Sequence, residues 1–192
     1  MRLGDGGMYL RTAPITKVSK EIEEVKDLLF HSFPPNEQIP IQFLLWRAKK
    51  DFIDFIAFYD QDVFVGFTYL ITDEDLTFIL YLAIKDDMRS KGYGKMIVSK
   101  IKDMYPNNRI ILNIEAIDEA ADNYEQRVMR KAFYLRNGFQ QTNLLLKDSG
   151  FLYEVLINQS FVTKDEYLHL LKRFPGTFLF SLVKSRIVLL TN

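Results

Sequence analysis

The sequence predicts a mixed α/β fold in a single domain. Its 192 residues are 48% hydrophobic and 26% charged, which supplies enough apolar side chains for one sizeable core. Three apolar stretches follow one another with short polar turns between them, which is typical of an antiparallel meander. A strand–helix–strand unit over residues 76–115 then needs a crossover connection, so we expect one parallel strand pair at the centre of the sheet.

The N-terminal part is predicted to combine a strand at 8–16 with two amphipathic helices. Ser19 is a favourable start for the first helix, and Pro34-Pro35 marks a point by which that helix has ended. A second helix is expected near 37–50, with lysines in its last turn. The apolar faces of the two helices carry Ile22, Val25, Leu28, Leu29, Ile41, Leu44, Leu45 and Ala48.

The later elements follow from periodicity and turn residues. A helix after a glycine-rich run is expected to end at Tyr105, before a proline. Asn137-Gly138 is a favourable end for the next helix, and Thr163 with Glu166 forms a capping box for the last one. The predicted strands are 52–58, 63–71, 76–84, 109–115, 139–146 and 151–158, and the predicted later helices include 123–136 and 163–173.

We expect the domain to cover residues 8–192, with a C-terminal helix and an apolar tail at 160–192. Residues 1–7 carry one positive charge and no apolar segment, so they predict a disordered leader rather than a signal peptide. Met8 is an alternative start, which would make that leader an addition to the native chain. No apolar run approaches the roughly 18 residues of a membrane span, so we expect a cytoplasmic protein without a membrane partner.

Charge and composition argue against several kinds of function. Lys plus Arg and Asp plus Glu each number 25, so no basic excess is available to bind a nucleic acid. The chain has no cysteine and 2 histidines, His31 and His169, which leaves few ligands for a metal and few groups for nucleophilic catalysis. We therefore expect no metal cofactor, and we assign neither histidine a role.

The run Arg89-x-x-Gly92-x-Gly94 lies where a predicted strand passes into a helix. The first amides of a helix have no intrahelical acceptor, so they can bind an anion. The two glycines would let a pyrophosphate approach the backbone, and Lys91 and Lys95 add positive charge. An ordinary glycine-rich turn is the alternative interpretation, because the run lacks residues that a Walker loop or the dinucleotide fingerprint requires.

Two motifs together resemble the GNAT superfamily of acyl-CoA N-acyltransferases, in particular its bacterial-type acetyltransferases. The glycine-rich run is similar to the Arg/Gln-x-x-Gly-x-Gly/Ala loop that follows a strand in this family and binds the CoA pyrophosphate. Phe133-Tyr134-x-x-x-Gly138-Phe139 is similar to the family's Phe-Tyr-x-x-x-Gly-Phe segment at the end of a later helix. The resemblance covers roughly residues 8–158 and implies helices on both faces of the sheet.

The resemblance implies that acetyl-CoA is the co-substrate, and it implies the residues that bind it. The backbone of residues 82–84 is expected to pair with pantetheine like an added strand, with one amide facing the thioester oxygen. The alternative is that these three side chains are simply core. The residues implied in CoA binding are Leu82, Ala83, Ile84, Arg89, Ser90, Lys91, Gly92, Tyr93, Gly94 and Lys95.

Tyr134 and Glu115 are the candidate catalytic residues. The resemblance implies that the Tyr134 hydroxyl gives a proton to the departing thiolate, and packing beside Phe133 is the alternative role. Glu115 ends the strand next to the expected acetyl site, so it is either the general base or a solvated carboxylate at a strand end. Asp118 and Glu119, in the loop beyond, would bind a cationic substrate or would simply be solvated.

Arg127 and Arg130 depart from the pattern of many relatives, which have asparagine and alanine at these places before the tyrosine. The acceptor substrate therefore cannot be transferred by analogy. Together with Lys131, the two arginines are expected to form a solvated basic helix face. Contact with an acidic substrate or a CoA phosphate is the alternative.

The expected function is acetyl transfer from acetyl-CoA to a primary amine by direct attack, without a metal or a covalent enzyme intermediate. The acceptor would be a small molecule or a peptide that the sequence does not identify, and a homodimer is a possible assembly. One alternative is a CoA-binding regulatory module without turnover. Another is an interaction protein that uses the aromatic-rich tail at 174–180.

Overall fold

A computed structural model describes residues 9–148, 150–176 and 187–191, the last stretch by its backbone only. The helices in these parts of the chain are α1 Ile22–Ser32, α2 Ile41–Arg47, α3 Tyr93–Met104, α4 Tyr124–Arg136 and α5 Lys164–Arg173. The strands are β1 Leu10–Pro14, β2 Ile53–Asp60, β3 Val63–Asp73, β4 Leu76–Ile84, β5 Arg109–Glu115, β6 Gln140–Asp148, β7 Phe151–Ile157 and β8 Ile187–Thr191.

The strands form one mixed sheet in the order β1-β2-β3-β4-β5-β7-β6-β8. The β2–β3–β4 segment is an antiparallel meander, as the short polar turns predicted. α3 then crosses over, and β4 pairs with β5 in parallel at the centre of the sheet. Every other pairing is antiparallel among the strands that the structure describes, so the predicted fold class is confirmed.

Helices cover both faces of the sheet and create two apolar cores. On one face, α1, α2 and α5 bury side chains such as Val25, Leu44 and Tyr167 against the sheet. On the other face, α3 and α4 contribute Ile97 and Tyr134 to a second core. The alternation of side chains along each strand supplies both cores from the same backbone, which fixes the sheet as the central layer.

The first two helices begin later than predicted. Ser19 does not cap α1, because its hydroxyl accepts a hydrogen bond from the Thr16 amide at 2.9 Å in the preceding turn. α2 begins at residue 41 rather than 37, with Pro40 as an extended N-cap residue. A residue that precedes proline is disfavoured in the helical conformation, so residues 37–39 remain in a loop. That loop brings Glu37 into the site described below.

The C-terminal apolar tail contains a strand that the sequence did not predict. β8 pairs antiparallel with β6, from Thr191 opposite Leu144 to Ile187 opposite Asp148. Phe174, the first residue of the aromatic run proposed as an interaction patch, is buried instead and contacts Tyr69 edge-on. The predicted leader at 1–7 and the rest of that aromatic run, residues 177–180, lie outside the described residues.

Gly66→Ala is expected to destabilise the central meander. An added Cβ at Gly66 would lie 2.1 Å from the carbonyl oxygen of Ala83, and paired backbones cannot part without losing hydrogen bonds. We expect a loss of about 3 kcal/mol or more in the free energy of unfolding, measured by urea denaturation. Gly150→Ala is the control, since its Cβ would meet nothing within 4 Å. Its left-handed backbone should cost about 1–2 kcal/mol, and an equal or smaller loss at Gly66 would contradict the close approach.

Candidate active site

A groove opens where β4 and β5 separate. Their parallel pairing runs from Leu76 with Arg109 to Ile79 with Leu112 and continues no further, so the end of β4 lacks a partner strand on that side. The groove has a volume of about 1710 Å³ and is lined by residues from both faces of the sheet. An unpaired strand edge offers backbone donors and acceptors to an extended ligand.

A β-bulge in β4 accompanies this separation. Tyr81 pairs with Tyr69 and Ile79 pairs with Leu70, which leaves Leu80 as the extra residue. A bulge bends its strand and increases the local twist. The bulge therefore directs the last residues of β4 away from β5 and widens the groove.

The glycine-rich loop closes one end of the groove at the start of α3. Gly92 is the N-cap residue and has a left-handed backbone with φ of +88°. The Met96 amide donates to the Gly92 carbonyl oxygen at 3.2 Å, which is the first hydrogen bond of the helix. The amides of residues 93–95 consequently have no intrahelical acceptor. They are free donors of the kind that the sequence predicted for an anion site, and anion binding there stays a prediction.

Gly94 allows α3 and α4 to meet closely beside the groove. An added Cβ there would lie 3.1 Å from two ring carbons of Phe133 and 3.4 Å from the Ile84 side chain. The two glycines of the motif therefore have different roles. Gly92 supplies an unusual backbone conformation, whereas Gly94 supplies space.

Eight of the ten residues expected to bind CoA line the groove. They are Leu82, Ala83, Ile84, Arg89, Ser90, Gly92, Gly94 and Lys95. Lys91 is exposed and lies outside this lining. The side chain of Tyr93 is buried and donates a hydrogen bond to Asp60, so only its backbone amide is available to a ligand. CoA binding by the set stays a prediction.

Arg89 ties the loop to the end of β4. Its Nε donates to the Ile84 carbonyl oxygen at 3.2 Å, and its Nη2 pairs with Asp86 at 2.9 Å. The side chain is 54% exposed. These contacts hold the guanidinium at the mouth of the groove, where it remains accessible to an anion.

Tyr134 lies in the groove wall, and its hydroxyl has no hydrogen-bond partner among the described residues. The ring is buried between Phe133 and Phe139, with centroid distances of 5.0 and 5.6 Å. No described residue forms a hydrogen bond with the hydroxyl. Burial raises the pKa of Tyr134 to about 12, and the nearby Arg130 opposes that shift. The phenol therefore remains protonated near neutral pH and can donate a hydrogen bond.

Glu115 is buried and paired with two arginines. The alternative prediction, a solvated carboxylate at the end of the strand, is therefore wrong. Its Oε1 lies 3.0 Å from Arg127 and its Oε2 lies 2.9 Å from Arg130. Asn123 donates to both oxygens, at 3.3 and 3.1 Å. A general-base role for Glu115 stays a prediction. The geometry weighs against it, because two guanidinium groups stabilise the carboxylate and occupy its lone pairs.

The prediction that Arg127, Arg130 and Lys131 form a solvated basic face on α4 is wrong for two of the three residues. Arg127 also donates to the Ala116 carbonyl oxygen at 2.9 Å, and Lys131 pairs with Glu154 of β7 at 2.7 Å. Arg127 and Lys131 have side-chain exposures of 13% and 17%. α4 is thus attached to the sheet by ion pairs. Of its four basic residues, Arg130 and Arg136 line the groove.

The other charged candidates lie away from the groove or have structural partners. Asp118 accepts a hydrogen bond from the Ala120 amide at 3.0 Å, and neither it nor Glu119 lines the groove. His169, expected to lack an acidic partner, has Nδ1 2.5 Å from Asp73. His31 lines the groove, and its Nδ1 lies 2.8 Å from the Asp27 carbonyl oxygen.

The sequence did not predict three further groove residues, Glu37, Tyr81 and Tyr153. Glu37 accepts a hydrogen bond from each of the two tyrosines. They come from the α1–α2 loop, from β4 and from β7, so no local motif links them. Pro40 was the signal that could have placed Glu37 in a loop rather than in a helix.

Within residues 9–148, 150–176 and 187–191, no helix is long and apolar enough to cross a membrane. The same part of the chain contains no group of three or more histidine, cysteine or acidic side chains that could hold a metal ion.

Known proteins with a related sequence or fold are acetyltransferases. The fold and the groove define an α/β protein with a large groove at a separated strand pair. The family model of the acetyltransferase (GNAT) domain matches residues 51–141, from the start of β2 to the start of β6. This match covers just under half of the chain and agrees with the resemblance that the two motifs carry, and acetyl transfer from acetyl-CoA is the general activity that it supports. Comparison with curated proteins gives no significant match.

Solved structures share the fold at low sequence identity. A Bacteroides thetaiotaomicron protein described as a GNAT-family acetyltransferase gives a TM-score of 0.68 at 21% identity, over 83% of this chain and 92% of its own. An aminoglycoside 6'-N-acetyltransferase complexed with coenzyme A gives a TM-score of 0.60 at 16% identity, over 77% of this chain and 95% of its own. The ribosomal-protein-S18-alanine N-acetyltransferase of Escherichia coli gives a TM-score of 0.60 at 10% identity, over 82% of this chain and 97% of its own. At these identities the likeness shows the fold.

Glu115→Gln is expected to destabilise the protein. The substitution keeps the side-chain shape but leaves the partly buried guanidinium groups of Arg127 and Arg130 without a negative partner. We expect a loss of about 2–3 kcal/mol in the free energy of unfolding, measured by urea denaturation. Glu119→Gln is the matched control in an exposed loop and should change stability by less than about 0.5 kcal/mol. Equal stability of the two variants would show that the ion-pair cluster contributes nothing.

Proposed function

We propose that the protein is an acetyl-CoA-dependent N-acetyltransferase that acts by direct transfer to a primary amine. The observation that carries this proposal is a single groove that joins three features: the free amides at the start of α3, the unpaired edge of β4 and the unpartnered hydroxyl of Tyr134. A ligand with a pyrophosphate, an extended amide-containing arm and a terminal thioester matches these features in that order. The family match over residues 51–141 supports the same proposal.

The chain's own residues would hold the co-substrate at both ends. The amides of residues 93–95, with Arg89 and Lys95, would bind the pyrophosphate at the helix N-terminus. An added Cβ at Gly92 would meet no protein atom within 4 Å, so the space beside the loop is open to a phosphate group. The backbone of residues 82–84 would pair with pantetheine as an added strand.

Bound acetyl-CoA would supply a thioester carbonyl carbon that accepts the amine nitrogen. A free backbone amide at the end of β4 would stabilise the negative charge that develops on the carbonyl oxygen. Tyr134 would donate a hydrogen bond to the sulfur as the C–S bond breaks. Because its pKa of about 12 lies well above the roughly 8.5 of an ordinary thiol, hydrogen-bond donation is favoured over complete proton transfer.

The acceptor that we propose is a primary amine on a small molecule or a peptide. Two proteins of the same fold are named for an aminoglycoside and for a ribosomal-protein alanine, which represent these two classes. A cytoplasmic location belongs to the proposal. A homodimer stays a prediction.

A CoA-binding module without turnover is the second candidate. The specific observation in its favour is the pairing of Glu115 with two arginines, which removes the carboxylate first expected to act as base. The two candidates differ in one measurement. Incubation with acetyl-CoA and a metabolite extract, followed by mass spectrometry, should reveal acetylated amines if the protein is an enzyme and none if it is a silent binder.

Gly92→Asp is expected to weaken CoA binding at least about tenfold in calorimetry. The carboxylate would stand among the free amides and repel the pyrophosphate. Gly92→Asn is the matched control, because asparagine has a similar size and a similar tolerance for the left-handed backbone without the charge. Wild-type protein at 100 times its Kd of CoA should gain about 2.7 kcal/mol of stability. Equal CoA affinity of the two variants would exclude pyrophosphate binding at this loop.

Tyr134→Phe is expected to lower kcat about 10²-fold while CoA affinity and thermal stability stay nearly unchanged. The change removes only the hydroxyl, which has no partner in the described protein, and it keeps the packing against Phe133 and Phe139. Steady-state kinetics and calorimetry on the same preparation provide both readouts. Full kcat would exclude a role for the hydroxyl, and an unfolded variant would show that the residue is mainly structural.

A further inference from the structure

Three carboxylates line the groove, those of Glu37, Glu115 and Asp148. Both oxygens of Glu115 are occupied by Asn123 and the arginines of α4. Glu37 accepts one hydrogen bond, from the Tyr153 hydroxyl to its Oε1 at 2.8 Å. Its Oε2 has neither a hydrogen-bond partner nor an ion-pair partner in the described part of the chain. Glu37 therefore has a carboxylate oxygen in the groove that can accept a proton or bind a cation.

The α1–α2 loop holds Glu37 across the separation of β4 and β5. Its carbonyl oxygen accepts a hydrogen bond from the hydroxyl of Tyr81 on β4. That same hydroxyl oxygen accepts from the Ile39 amide at 3.1 Å, which ties the loop to the strand at two points. Tyr153, which holds the carboxylate, lies on β7 directly opposite Glu115 of β5. Glu37 is thus attached to strands on both sides of the groove, to β4 through its backbone carbonyl and to β7 through its carboxylate.

Glu37 lies on the side of the sheet opposite the predicted CoA loop. Tyr81 and Tyr153 belong to the core beneath α1, α2 and α5, whereas Tyr134 belongs to the core beneath α3 and α4. A ligand that enters from the α3 side and an acceptor that enters from the α1–α2 side would meet where the strands separate. This placement gives Glu37 access to the acceptor rather than to the pyrophosphate.

The surroundings of Glu37 make its carboxylate a stronger proton acceptor than that of an exposed glutamate. Burial raises the pKa of Glu37 above its usual value, and the charges of Glu115 and Asp148 raise it further. The Tyr153 hydrogen bond and the charge of Arg130 act in the opposite direction. A carboxyl group with a raised pKa is a better match for a general base than one held by two cations.

We propose that Glu37 binds the ammonium group of the acceptor and takes the first of its protons, with Tyr153 as the positioning residue. This inference rests on the proposed function. One N–H proton passes to Glu37, and the neutral nitrogen then forms a bond to the acetyl carbon while the C–S bond breaks. The second N–H proton ends on the departing sulfur, and the proton on Glu37 returns to solvent. The site therefore selects cationic primary amines and disfavours acidic or neutral acceptors.

Glu37→Gln tests this assignment in the full-length protein. The probes are acetyl-CoA with 1,4-diaminobutane, an aminoglycoside and an alanine-starting peptide, followed by kinetics on whichever amine is acetylated fastest. We expect kcat/KM to fall about 10²-fold and the acidic limb of its pH profile to disappear. CoA affinity should not change. Glu119→Gln, an exposed carboxylate outside the groove, is the matched control and should keep wild-type kinetics.

Tyr153→Phe tests whether Tyr153 positions the Glu37 carboxylate or only supports the fold. Loss of its hydrogen bond removes an interaction that lowers the pKa of Glu37. The acidic limb of kcat/KM should therefore move to higher pH, whereas a structural defect would lower the rate without moving the limb. An unmoved limb would overturn the positioning role.

The outcomes distinguish this inference from the proposed function. If wild-type protein acetylates an amine and Glu37→Gln keeps its kcat/KM, the assignment of Glu37 fails while the proposed function stands. If wild-type protein binds CoA in calorimetry but neither binds nor acetylates any of the three amines, both fail together and the silent CoA-binding module replaces them.

Discussion

Four residue pairs hold β4 and β5 together, and the separation of the two strands beyond those pairs determines where a ligand can bind. The parallel arrangement requires the α3 crossover, which brings the free amides of a helix N-terminus to the same edge of the sheet. The bulge at Leu80 turns the end of β4 away and leaves backbone groups without a partner strand. The predicted anion site, the extended edge and the groove therefore all lie at one interruption of one strand pair.

The interruption leaves a gap in the sheet beside β5. α4 packs beside this gap and is held there by ion pairs as well as by apolar contacts. Glu115 pairs with Arg127 and Arg130, and Lys131 pairs with Glu154. Because these groups are partly removed from water, each needs its partner, and the geometry of the groove wall depends on them. The same pairing weighs against Glu115 as a proton acceptor, and our proposal assigns that task to Glu37 from the opposite face.

The sequence predicted the strand order of the meander, the parallel crossover and the glycine loop, because each depends on signals within a few tens of residues. Periodicity could not predict that β8 completes the sheet beside β6, since an apolar tail has no local signal for its partner. The basic residues of α4 were expected in solvent because a helical spacing shows which charges share a face but not which acids lie opposite. Glu37, Tyr81 and Tyr153 meet only through the tertiary fold.

Hydrogen exchange with and without acetyl-CoA tests the central claim that the ligand fills the separation of β4 and β5. The account predicts slower amide exchange at two places together, in residues 80–84 at the unpaired strand edge and in residues 92–96 at the start of α3. Exchange in β2, which is paired on both sides, should not change. Tight binding of acetyl-CoA with no protection at either place would contradict the account.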